Sequence, residues 1–131
     1  MIYLDTNVIV NSAINNIYKQ KSLKLFLEVI EQGKFFSSYL LIQESLFVFN
    51  KLDIPKEARD FYIDVLLNHL KGYNFSKEFR RALDLYNKVK LKSTNDLFHF
   101  AIAESFCEEL ITFDKDFEKL KPFTSLKITI L

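Results

Sequence analysis

Ile2-Tyr3-Leu4-Asp5-Thr6-Asn7 decides the fold. Ile2-Tyr3-Leu4 is a short apolar run without polar alternation, which suits a parallel strand covered on both faces. Asp5, Thr6 and Asn7 are turn and N-cap types and end it. Working outward, the same grammar repeats. Leu23, Phe26, Leu27 and Ile30 fall on one helical stripe that Gly33 closes. Phe35-Phe36-Ser37-Ser38 reads as a second short strand, and Tyr39 to Asn50 as a largely buried helix. Pro55 can open the next helix at its first position, with Ala58, Phe61, Tyr62, Val65, Leu66 and His69 as its stripe. Tyr73-Asn74-Phe75 is expected as a minor strand. Ser76 can then cap a helix carrying Phe79, Ala82, Leu83 and Tyr86.

Ser93 begins a further helix with Asp96 three residues on, a capping-box spacing, and Phe98, Ala101, Ile102 and Ser105 share one of its faces. Leu110-Ile111-Thr112-Phe113 reads as a strand, Asp114-Lys115-Asp116 as its turn, and Phe117 to Leu120 as one helical turn. Leu126, Ile128 and Ile130 alternate with Lys127 and Thr129 in a last strand. Strands alternating with helices give an α/β class with a parallel sheet and its ligand crevice at the carboxyl ends of the strands. Asn11 to Asn16 is polar for a helix and reads as a loop that can touch substrate.

Bulk composition narrows the function. The 131 residues read as a single domain, 1–131, with 49% hydrophobic and 27% charged residues. No apolar run approaches the roughly 20 residues that span a bilayer, and no signal peptide is visible. The expectation is a soluble, cytoplasmic protein without a membrane partner. Cys107 is the one cysteine, so no internal disulfide can form, and its apolar neighbours suggest an inert thiol. A net charge of +1 provides no global field for a polyanion. Any nucleic acid would depend on local lysines and bound cations.

Four acids stand out by position. Asp5 ends the first strand, Asp114 ends a late one, Asp96 lies in the first turn of a helix, and Glu44 interrupts an apolar helix. Singly, each has a structural explanation as a cap, a turn former or a surface strip. Together they would repel: two carboxylates about 5 Å apart cost roughly 3 kcal/mol at an effective dielectric near 20. Such a cluster needs protons or cations. All-oxygen donors select hard ions, Mg²⁺ or Mn²⁺, and no zinc-ligand spacing exists. Acid-held hard ions suit phosphodiester hydrolysis. Lys115, beside Asp114, is the best phosphate contact. His99 follows Asp96 by three residues and can share its helix face, although a packed or surface histidine is the commoner case. Tyr39 and Phe113 could stack on a base, but core packing explains most of the aromatics.

These motifs resemble PIN-domain nucleases. Ile2 to Ile9 is similar to the family's opening strand and Asp-Thr-Asn. Asn95-Asp96-Leu97-Phe98-His99-Phe100-Ala101-Ile102-Ala103 is similar to its Asp-led helix. Leu110 to Phe117 is similar to its closing strand and acidic turn, and Glu44 falls where the second acid belongs. The resemblance implies a three-layer fold with four or five mostly parallel strands flanked by helices. It implies Mg²⁺- or Mn²⁺-dependent cleavage of RNA by Asp5, Glu44, Asp96 and Asp114. Thr6 and Thr112 match supporting positions. Asp116 competes with Asp114 for the fourth place, which family spacing gives to Asp114. In size the chain resembles VapC toxins of toxin–antitoxin pairs, which implies a homodimer and a cognate antitoxin. The segment from Leu52 to Leu91 carries no family motif.

Two other readings compete. One is a non-catalytic PIN-like module that binds RNA or a protein. The other is an aspartyl-phosphate enzyme or receiver, disfavoured because position 7 is Asn and the paired N-terminal acids of a receiver are missing.

Overall fold

The computed structural model describes residues 1–131. Strand β1 (Ile2–Leu4) leads into helices α1 (Thr6–Ala13) and α2 (Lys19–Glu31), then β2 (Phe35–Phe36), α3 (Tyr39–Lys51), α4 (Lys56–Asn68), α5 (Ser76–Tyr86) and α6 (Thr94–Phe106). Strand β3 (Glu109–Thr112), a 3₁₀ stretch (Lys115–Phe123) and β4 (Lys127–Ile130) complete the chain. The four strands are all parallel in the order β2-β1-β3-β4. The winding runs outward from β1 in both directions, so the order reverses between β1 and β3. Ligand crevices of wound sheets lie at that point, beyond the carboxyl ends of the strands. Asp5 follows β1 there, and Asp114 follows β3.

Successive strand residues point to opposite faces, and the core divides accordingly. Tyr3, Phe36, Leu110 and Ile128 pack on one face with Leu97, Phe100 and Ala101 of α6 and Ala82 and Leu85 of α5. Leu4, Phe35 and Ile111 pack on the other with Val8 and Ile9 of α1, Phe26 of α2, Leu41 and Phe49 of α3, and Tyr62 and Leu66 of α4. The result is three layers with an unbroken apolar sheet at the centre. No helix is long and apolar enough to cross a membrane.

Several local expectations are corrected. Tyr73-Asn74-Phe75 forms no strand. The sheet's extra pairing is instead a bridge between Ser37 and Leu70, and Tyr73 stacks on Phe106 with ring centroids 4.8 Å apart. Pro55 is the N-cap of α4 and not its first residue. Ser76 is the first residue of α5, not its cap; Asn74 accepts hydrogen bonds from its amide and hydroxyl. In α5 the buried residues are Glu78, Ala82 and Leu85, while Phe79, Leu83 and Tyr86 face solvent. Phe61 of α4 is likewise exposed. Ser105 is exposed, so the face expected for α6 is rotated. Ser93 precedes α6 without a side-chain cap; its carbonyl accepts from the Asp96 amide at 3.3 Å. The polar stretch after β1 is partly helical, because α1 continues through Ala13. Gly33 has a φ of +65°, the left-handed conformation expected where a glycine ends a helix.

Candidate active site

Asp5 is fixed first. It is the N-cap of α1, and its Oδ1 accepts from the Thr6 amide at 2.7 Å. Its Oδ2 accepts from Thr112 Oγ1 at 2.6 Å and from Asn7 Nδ2 at 2.8 Å. The Thr112 hydroxyl also accepts from Asn7 Nδ2 and from the Asp114 amide. Asn7 Oδ1 in turn accepts from the Phe113 amide. One small network therefore ties the end of β1 to the end of β3.

Glu44 projects from the middle of α3. Its Oε2 accepts from Asn95 Nδ2 and lies 3.1 Å from His99 Nε2. Asp96 stands in the first turn of α6, where amides left free by the helix favour a negative charge. Asp5, Thr6, Asn7, Glu44 and Asp96 line one cavity of about 220 Å³, walled by Val10 and Val48. Glu44 also borders a neighbouring depression of about 320 Å³ lined by Leu40, Gln43, Phe47 and Asn95.

The electrostatics follow from this crowding. Burial pushes the Asp5 carboxyl above its ordinary value, against the pull of His99 and Thr112. Burial, with the charges of Asp5, Asp114 and Glu44, pushes Asp96 up to about 7. Glu44 behaves differently. Burial raises it, but the contacts with His99, Thr6 and Asn95 outweigh that and hold it below 4.5. His99 is fully buried, yet the Glu44 bond and the Asp5 charge hold it above 6.5.

The expected residues are thus distributed as follows. Asp5, Glu44 and Asp96 share the cavity, and Asp114 stands close enough for its charge to act on Asp96. Asp116 turns away: its carboxylate accepts from the Lys92 amide at 2.7 Å and pairs with Lys119 Nζ at 2.6 Å. Thr112 bonds Asp5 directly. The Thr6 hydroxyl is buried beside Glu44 without a well-formed bond. Lys115 is exposed at the start of the 3₁₀ stretch. Phe113 packs on Tyr18 with centroids 4.9 Å apart, while Tyr39 is open to solvent. Cys107 is half-buried, and burial pushes its thiol up to about 12, an unreactive state.

Sequence reasoning gave no site role to Asn7, Asn95 or Tyr3, and only a weak one to His99. Asn7 carried a signal, since it follows Asp5 at a helix start. Tyr3 carried another: a tyrosine in a fully buried strand needs a partner for its hydroxyl.

The donor set fits a hard divalent cation. Three carboxylates converge, and burial together with the neighbouring charges pushes one toward neutrality, so a cation would relieve the repulsion. One ligand atom each from Asp5, Glu44 and His99 also lie within 4.8 Å of one another.

The chain has the fold of VapC20, the sarcin–ricin loop cleaving toxin of Mycobacterium tuberculosis, with a TM-score of 0.70 at 15% identity over 90% of this chain and 93% of that one. No match among curated proteins was found. The PIN domain family model matches residues 2–121, nearly the whole chain, and the chain therefore belongs to the PIN domain family.

Proposed function

We propose that the chain, residues 1–131 as one nuclease domain, is a Mg²⁺- or Mn²⁺-dependent endoribonuclease. Asp5, Glu44, Asp96 and Asp114 are its acidic quartet. The observation that carries the reading is the convergence of Asp5, Glu44 and Asp96 on one cavity at the switch point of the sheet, with Asp114 beside it. Those acids would hold the ion, which when bound activates water and offsets charge on the phosphoryl group.

The chain's own residues do the positioning. Thr112 and Asn7 aim Asp5, and Asn95 donates to Glu44. Asp96, crowded by Asp5, Asp114 and Glu44, would hold the ion from the first turn of α6. Lys115, exposed and next to Asp114 in the chain, would meet a backbone phosphate, a contact that holds any sequence alike.

The likeness to a sarcin–ricin loop cleaving toxin supports a biological role as the toxin of a toxin–antitoxin pair. That role carries a cytoplasmic location, a cognate antitoxin protein and a homodimer. The direct test is cleavage of RNA with Mn²⁺ by wild type and by Asp96→Asn. Loss of cleavage with an unchanged fold is expected. Wild-type rates from Asp96→Asn would remove the catalytic assignment, and no cleavage by wild type would leave the non-catalytic RNA- or protein-binding module.

A further inference from the structure

Behind Glu44 runs a buried chain of hydrogen bonds. Ser38 Oγ lies 3.2 Å from Tyr3 Oη, Tyr3 Oη lies 2.6 Å from His99 Nδ1, and His99 Nε2 lies 3.1 Å from Glu44 Oε2. Ser38, Tyr3 and His99 are all fully buried, so water does not compete for these atoms. The members come from the start of α3, the middle of β1 and the second turn of α6. The rigid parts of the fold therefore set the geometry.

For a neutral His99 ring the donors and acceptors run one way. Ser38 Oγ already accepts from the Leu41 amide, so its hydrogen is free for Tyr3 Oη. Tyr3 then donates to His99 Nδ1. An ionised Glu44 can only accept, so His99 Nε2 must carry the proton that it donates to Oε2. A doubly protonated ring makes the same donation to Glu44 and turns Tyr3 into the acceptor. In neither form does His99 have a nitrogen lone pair free for a metal.

We propose that His99 is a positioning residue and not a ligand: held by Tyr3, it fixes the orientation in which Glu44 presents its carboxylate to the cation. This deepens the metal-dependent reading above and rests on it. A cation would then be held by oxygens alone, with His99 near them because it donates to Glu44. Groups that orient a ligating carboxylate in this way typically change metal affinity by about 10- to 100-fold when removed.

Two measurements on the full chain test this. The first is the protonation of the imidazole nitrogens in ¹⁵N-histidine-labelled protein, with His69→Gln to assign the two rings, before and after addition of Mg²⁺. His99 Nε2 is expected to keep its proton in both states. A bare Nε2, or a nitrogen that becomes metal-bound on adding Mg²⁺, would overturn the proposal.

The second is Mn²⁺ binding by titration, with the fold checked by circular dichroism. Tyr3→Phe and His99→Leu should each weaken binding by about tenfold. His99→Gln, which can still offer an N–H to Glu44, should recover most of the loss. If Tyr3→Phe binds as tightly as wild type, or if His99→Gln is as impaired as His99→Leu, the positioning role is wrong. Tyr3→Phe keeps the buried ring and therefore reports even if the histidine variants do not fold. Absence of Mn²⁺ binding by wild type would instead overturn the metal-dependent reading, and the positioning role with it.

Discussion

Thr112 Oγ1 donates to Asp5 Oδ2 at 2.6 Å and so joins residues 107 positions apart in sequence. The hydroxyl is fully buried and has three partners, since it also accepts from Asn7 Nδ2 and the Asp114 amide. Thr112→Val keeps the shape and removes all three bonds, leaving a buried carboxylate short of a donor and two donors short of an acceptor. The expected cost is about 1–3 kcal/mol of stability, together with slower RNA cleavage as Asp5 loses its aim. Thr112→Ser should restore both. Denaturant titration with parallel cleavage assays checks this; a Val variant as stable and active as wild type would show the bond to be incidental.

Asp96 makes the ion-free protein sensitive to pH. Its carboxyl is raised from 3.8 to about 7 in the folded chain. Between those values the folded chain holds a proton that the unfolded chain has released. Stability is therefore full at the acidic end and falls as pH rises through the folded value. Asp5, also raised by burial, acts in the same direction. Glu44, held below 4.5, acts oppositely but only at lower pH. Without divalent ions, Tm should be higher near pH 5 than near pH 7.5. Asp96→Asn should flatten that slope, and Mn²⁺ should raise Tm most at the higher pH. A slope unchanged in Asp96→Asn would assign the titration to another group.

Asp114 and Asp116 look interchangeable in sequence but differ in their surroundings. The Lys119 ammonium and the Lys92 amide engage the Asp116 carboxylate and hold it below its usual range. Asp114 keeps one oxygen on the Asp116 amide and directs its charge toward Asp96. Asp114→Asn is expected to reduce cleavage at least tenfold, in the general range for lost electrostatic support, with little change in Tm. Asp116→Asn should cost about 1 kcal/mol of stability and leave Mn²⁺ affinity intact. The reverse pattern would make Asp116 the fourth acid.

The sequence disclosed the parts of this fold that are local. An apolar run stopped by Asp5 marked β1, and the same pattern at Thr112 and Asp114 marked β3; together they placed two acids at one crevice. The facing of α5 was not legible, because large aromatics suggested burial. Phe79 instead packs edge-on against Phe98, at 4.9 Å between centroids, while remaining half-exposed, and Ala82 and Leu85 fill the tighter space inside. His99 was visible only as a neighbour of Asp96. Its partners Tyr3 and Glu44 lie 96 and 55 residues away, and periodicity carries no record of such contacts.

Lys115 offers the last separable role. It is exposed and follows Asp114 in the chain, whereas Lys119 and Lys121 are paired with Asp116 and Glu118. A lysine that only meets phosphate helps bind every RNA to a similar degree and leaves the chemical step alone. Lys115→Ala should therefore raise KM several-fold with kcat nearly unchanged, and reduce the dependence of log affinity on log salt by about one contact. Lys121→Ala serves as the paired control and should do neither. If Lys115→Ala lowered kcat and left KM and the salt slope alone, the lysine would act on the reacting phosphoryl group and not on the backbone that carries it.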